Sequence, residues 1–285
     1  MRGGPRLKER VPFEWRQRLR RLNRFRWVAK YRALRSFGVS PHSEPGVAAR
    51  FILLDPELDN FTYELANEHE LPAFVAGVTR SGALEAAAHM FELRTDRVLR
   101  AELEAQTRGR LDTKRRPEYG RRLAWYALAR WLKPRLIVET GVQDGLASMV
   151  LLRALERNSD EGAPGRLMSF DLLPGSGRLV SERYRANWEL VIGSTFDTLP
   201  GALAGRSVGM FVHDSLNTYE CEQFEFGVAM KHADDRLLLI SNRAAVGGLR
   251  DVAKAHGLPY SEFHEQPLHF YPGTPQGVAL YERSP

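Results

Sequence analysis

The sequence predicts an α/β fold: a mostly parallel sheet, helices on both faces and a closing antiparallel hairpin. Three observations carry this expectation. Short apolar runs alternate with helix-length segments from residue 136 to residue 255. The first run, Leu136-Ile137-Val138-Glu139, breaks at a glycine turn and leads into a helical stretch, a strand–turn–helix unit. The last two runs, Tyr260–Glu265 and Gly277–Glu282, are joined through Pro272-Gly273 with no helix between them.

Composition fits such a fold. The 285 residues are 43% hydrophobic and 27% charged, ordinary for a globular protein with ample material for a core. No stretch approaches the roughly 18 apolar residues that cross a bilayer, and the basic N-terminus lacks the apolar segment of a secretory signal. Cys221 is the sole cysteine, which excludes an internal disulfide and a cysteine-rich zinc site. A cytoplasmic protein is the expectation. The net charge of +6 is unevenly placed: residues 1–40 hold 13 Lys/Arg and 2 Asp/Glu, while the remainder is net acidic.

Residues 1–40 read as a basic helical arm, since no proline or glycine interrupts Glu14 to Phe37. Its apolar residues recur every third position from Leu19 to Leu34, a line that drifts around a helix rather than forming one stripe. A solvated extension is one reading. Contact with a partner subunit, an acidic membrane surface or nucleic acid is the other. Residues 41–115 read as a linker and helical cap, with prolines at 41, 45 and 56. Within it, Ser81 is placed to cap a helix from Gly82 to Leu93, and Thr95 or Asp96 one from Arg97 to Thr107. The third part, residues 116–285, opens with a helix over Tyr119–Leu132. Strands then follow at Leu136–Glu139, Leu167–Asp171, Glu189–Ile192, Gly209–His213 and Arg236–Ile240. Helical segments lie between and after them at Leu146–Leu155, Leu179–Ala186, Phe196–Leu203, Tyr219–Lys231 and Val246–Ala255.

Ligands of open parallel sheets bind at the carboxyl ends of the strands, and each end here is distinctive. The first carries Glu139-Thr140-Gly141, with Gly145 closing the turn. Glu139 would repel a pyrophosphate but suits a positively charged ligand. The second carries Asp171, whose carboxylate is able to accept from two ribose hydroxyls. The third carries Thr195 and Phe196, placed to flank a base. The fourth carries His213-Asp214 and the fifth Ser241-Asn242.

The stretch Val138-Glu139-Thr140-Gly141-Val142-Gln143-Asp144-Gly145 resembles the first motif of class I S-adenosylmethionine-dependent methyltransferases. The stretch Phe211-Val212-His213-Asp214-Ser215, continuing to Thr218-Tyr219-Glu220, is similar to a bacterial subgroup related to catechol-type O-methyltransferases. The lead-in Arg116–Tyr126 and the tail Phe270-Tyr271-Pro272-Gly273 are similar too. The resemblance implies a Rossmann-like seven-stranded sheet with its last strand antiparallel. It further implies that Glu139, Gly141 and Gly145 face the methionyl end of S-adenosylmethionine, Asp171 the ribose, and Thr195 or Phe196 the adenine. Two departures stand out. Gln143 replaces the middle glycine, which also argues against a dinucleotide site. Catechol-type relatives bind a divalent metal such as Mg²⁺ through acids and an Asn. Asp214 and Asn242 match that set, but Ser241 replaces the second acid.

Methyl transfer from a sulfonium asks mainly for alignment. An oxygen nucleophile also needs a base, and Asp214 is the first candidate, followed by His213, with His269 more remote. The expected function is O-methylation of a small molecule, a sugar or secondary metabolite. The alternatives are a non-catalytic module that binds the cofactor and a nucleic-acid methyltransferase guided by the arm. A homo-oligomer is compatible with either class.

Overall fold

The computed structural model describes residues 63–108, 118–268 and 273–283. The basic arm, the 41–60 linker, Arg116-Pro117, His269 and Phe270-Tyr271-Pro272 lie outside the described residues. Three helices come first: α1 (Leu71–Thr79), α2 (Ala83–Thr95) and α3 (Arg97–Thr107). They are followed by α4 (Arg122–Leu132) and β1 (Leu136–Thr140), then α5 (Leu146–Asp160) and β2 (Arg166–Asp171). Next are β3 (Trp188–Ile192), α6 (Thr195–Leu203), β4 (Val208–His213) and α7 (Tyr219–Lys231). The chain ends with β5 (Ala233–Ser241), α8 (Gly248–Ala255), β6 (Tyr260–His264) and β7 (Pro275–Glu282).

The seven strands form one sheet in the order β3-β2-β1-β4-β5-β7-β6. Strands β1 to β5 pair in parallel, and β7 runs antiparallel to both β5 and β6. The order reverses between β1 and β4, the switch point at which such sheets open a crevice. Successive residues of each central strand point to opposite faces. Ile137, Met210, Val212, Leu238 and Ile240 enter the apolar cluster shared with α1–α5. Leu136, Val138, Phe211, Leu237 and Leu239 enter the cluster shared with α6–α8. Among the described residues no helix is long and apolar enough to cross a membrane.

Four local expectations shift, each for a backbone reason. The helix expected from Tyr119 starts at Arg122, because Gly120 takes φ 55° and Tyr119 bridges to Tyr63. The helix expected at 246–255 is divided by Gly247 (φ 92°) into a 3₁₀ turn, Ala244–Val246, and α8. The segment at 179–186 is a 3₁₀ helix at Glu182–Asn187. Ser81 does not cap α2, since its hydroxyl partners Thr79 Oγ1 at 2.7 Å. Asp96 does cap α3, accepting from Leu99 N–H at 2.9 Å.

The first helices are fastened to the rest by buried ion pairs. Arg153 of α5 donates to Asp96 at 2.6 Å and also reaches Glu156. Arg130 of α4 meets Glu92 at 3.1 Å, Asn158 and Glu161. Near the other end of the sheet, Glu265 accepts from Tyr63 Oη at 2.7 Å and pairs with Arg121 at 2.9 Å.

Candidate active site

A cleft of about 620 Å³ opens at the carboxyl ends of the strands, within the size range of small-molecule pockets. It is lined by the β1–α5 turn (Gly141 to Ala147), by Phe170–Leu173 after β2 and by Gly193–Phe196 after β3. Asp214–Leu216 after β4, with Cys221 and Arg122, complete it.

The turn needs its glycines for two physical reasons. Gly141 (φ 82°) and Gly145 (φ 90°) occupy the left-handed region. A Cβ on Gly141 would also fall inside the Asp214 carbonyl oxygen, so at this point the β1 and β4 loops approach through bare backbone. Gln143 takes φ 52°, a conformation that favours glycine, which explains why relatives place one there. Asp171 holds this turn. Its Oδ2 accepts from Val142 N–H (2.9 Å) and Gln143 N–H (3.0 Å), and its Oδ1 from Leu173 N–H (2.9 Å). Three of roughly four acceptor positions are thus filled, leaving about one for a ribose hydroxyl rather than the expected pair. Phe196 is 44% exposed on the cleft and rests against Phe224 with ring centroids 4.7 Å apart. Leu172 and Leu216 are exposed beside it and make the rim apolar.

Other expected residues sit behind the cleft. Glu139 is fully buried, accepting from Ser148 Oγ (2.6 Å) and Ser169 Oγ (2.8 Å), and does not line the cavity. Burial pushes its carboxyl up to about 7, against the two serine hydrogen bonds that favour the charged form. His213 is also fully buried, and its Nδ1–H donates to Glu225 Oε2 at 2.7 Å. Burial alone would lower the imidazole. The Glu225 hydrogen bond and charge outweigh it, so His213 lies above its usual range. Glu225 answers in kind. Burial favours its neutral form, but His213 and the Thr140 and Thr195 hydroxyls hold it below the usual carboxylate range. The Thr195 hydroxyl therefore donates to this carboxylate (2.7 Å), although the residue also lines the cleft.

Asp214 lines the cleft directly. Burial raises its carboxyl, opposed by the nearby charges of Arg121, Arg122 and His213. Asn242 Nδ2 donates to Asp214 Oδ1, which brings the two sequence-matched metal ligands together as donor and acceptor. That arrangement fits a divalent cation poorly. The amide presents its N–H₂ to the shared space, Ser241 Oγ is turned to Glu222 at 2.5 Å, and two guanidinium charges act on Asp214. A second group of metal-type donors, His213, Cys221 and Glu225, is buried behind the cleft wall, where His213 Nδ1 pairs with Glu225 and His213 Nε2 has no hydrogen-bond partner.

Residues 138–241, which span the glycine turn and the first five strand ends, match a family described as a methyltransferase domain. Over these residues the chain carries a methyltransferase domain. The chain shares its fold with an O-methyltransferase from Bacillus cereus in complex with SAH. That likeness covers 69% of this chain and 97% of the other, at 15% identity and a TM-score of 0.50. The O-methyltransferase TomG from Streptomyces achromogenes, involved in tomaymycin synthesis, is similar over 67% of this chain and 94% of its own. Its identity is 18% and its TM-score 0.48. The chain matches no curated protein. The cleft is large enough for S-adenosylmethionine, bare glycine backbone faces it, and an aromatic ring and an acid stand at the ends of β3 and β2. Sequence reading missed Arg122, Leu172 and Leu216, whose significance lies in exposure and pairing rather than residue type.

Proposed function

We propose that this methyltransferase moves the cofactor's methyl group to a hydroxyl of a small molecule, with Asp214 as the base and without a divalent metal. The observation that carries this reading is Asp214 itself: a partly buried carboxylate, raised above its ordinary range, on the wall of the cofactor cleft. A carboxylate shifted toward neutrality accepts a proton more readily at physiological pH. Asn242 orients it through Oδ1, and among the described residues no other group donates to the Asp214 carboxylate. His213 suits the role less, because it is enclosed and already holds its proton against Glu225. The bound cofactor supplies an activated methyl on sulfur. The protein supplies orientation, a cleft with an apolar rim and the proton acceptor. The shared fold of the Bacillus cereus O-methyltransferase supports oxygen as the nucleophile.

The test is a methyl-release assay over a panel of hydroxylated acceptors, beside calorimetry with S-adenosylhomocysteine. Asp214→Asn is expected to lower turnover by about 100-fold or more, the usual range for a lost general base, with S-adenosylhomocysteine affinity retained. Turnover in the wild type is expected to persist in EDTA. Turnover that returns only with added Mg²⁺ would overturn the metal-free reading.

A further inference from the structure

Leu84 of α2 is 87% exposed, more than any other large apolar side chain among the described residues, and Phe91 of the same helix is 68% exposed. Neither lines the cleft. Seven residues apart, they point within about 20° of one another, with the exposed Ala88 between them and the exposed Thr95 one turn beyond. Ala86, Met90 and Leu93 point the opposite way and are buried in the cluster shared with α4. A helix that is apolar on opposite faces is buried on both, so this outer stripe of α2 calls for a cover that the described residues do not provide.

We propose that the cover is residues 47–54 of the same chain, which lie outside the described residues. Apolar content, reach and area select them. Phe51-Ile52-Leu53-Leu54 is the longest apolar run in the sequence outside the described residues. Residues 55–62 join this run to Tyr63 and span at most about 30 Å. Tyr63 bridges to Tyr119 and bonds Arg121, at the start of α4. Glu92, the neighbour of Phe91, pairs with Arg130 of that helix, about 14 Å further along it. With α2 packed on α4 at about 8–10 Å between axes, its outer face lies about 25 Å from Tyr63, inside that reach. The area argues against a separate molecule. α2 is about 20 Å long, a strip far below the roughly 800 Å² per partner of a stable interface between free molecules. A second copy laid antiparallel on it across a two-fold axis would also set Glu85 and Glu92, which share one flank of the stripe, against their own counterparts. A tethered segment escapes the area limit, because its effective concentration is about millimolar.

The test is thiol labelling of the full chain, carrying Phe91→Cys, with the aromatic disulfide dithiobis(nitrobenzoate). Cys221 is the only native cysteine and is 1% exposed, so its silence reports that the domain is folded. The introduced thiol is expected to react more slowly than a free thiol by about 10-fold or more, the protection given by a docked segment that opens locally. Replacing Phe51, Ile52, Leu53 and Leu54 by Ser in the same chain should restore the free rate while Cys221 stays silent, and Ile52→Ser alone should restore part of it. Free-thiol reactivity in Phe91→Cys by itself overturns the proposal and needs no second variant to fold. Protection that survives the serine substitutions also overturns it: a second copy is the cover if the protection fades on dilution, and a different segment of the chain if it does not.

Discussion

Glu139 shows how one residue couples the site to stability. The folded chain holds its proton up to about 7, against an ordinary value of 4.5. Between those values the folded state binds more protons than the unfolded state, so stability falls as pH rises through the window. The difference amounts to about 3 kcal/mol once both states are ionised. Glu139→Gln is therefore expected to equal the wild type near pH 4 and to exceed it by up to about 3 kcal/mol at pH 8, measured by urea unfolding without ligand. A wild-type pH slope that persists in the Gln variant would rule this out. Residues of this kind divide sharply in legibility. Gly141 and Gly145 were readable from sequence because a left-handed turn at a strand end calls for glycine. The burial of Glu139 was not, because an acid after an apolar run looks the same whether it faces the cleft or the serines behind it. Arg122 was quoted as part of a motif without a role, since a place in the cleft wall is a property of three-dimensional packing alone.

Among the elements, α7 binds the site together through a single carboxylate. Glu225 accepts from Thr140 of β1 (2.7 Å), His213 of β4 (2.7 Å), Thr195 of α6 (2.7 Å), Ser215 (3.1 Å) and Cys221 (3.3 Å). Truncating it strands a buried imidazolium and several hydroxyls. Glu225→Ala is expected to lower stability by about 3–5 kcal/mol by denaturant unfolding, with Glu225→Gln less severe. A loss below 1 kcal/mol would show the hub to be dispensable. The sign of each ionisation follows from its shift. Glu225 contributes above its ordinary 4.5, and that contribution disappears as pH falls through its depressed value. His213 contributes below its ordinary 6.5 and stops doing so as pH rises through its elevated value. Strand positions were legible because apolar runs end where the sheet ends. The role of α7 was not, because acids at helical spacing also describe a solvated face, and only full burial of Glu222 and Glu225 reveals otherwise.

Across the described residues, the sheet and the helices before it share one apolar cluster, and Asp96 is one of the polar fastenings of those helices. It caps α3 and neutralises Arg153, whose side chain is 5% exposed. Asp96→Ala is expected to lose about 3 kcal/mol, because it removes both the cap of α3 and the more buried of the two carboxylates that pair with Arg153. Asp96→Asn keeps the cap and should lose less, so the difference between the two melting curves isolates the cap. Removal of residues 1–35 is expected to leave S-adenosylhomocysteine affinity unchanged, since the cleft-lining residues among those described lie between 122 and 221. A large loss in that truncation would tie the arm to the cofactor. Of the helices before β1, α4 alone contributes to the described cleft wall, through Arg122. The others pack against the flank of the domain, where their ion pairs hold them.

The bond between Tyr63 and Glu265 joins residues 202 positions apart. The acceptor is made long after the tyrosine, and β7, which covers β5, also follows it in the chain. Closure of the sheet therefore rests on contacts of high sequence separation, which form slowly. A message truncated after β5 would yield a product with a bare sheet edge, prone to self-association rather than merely inactive.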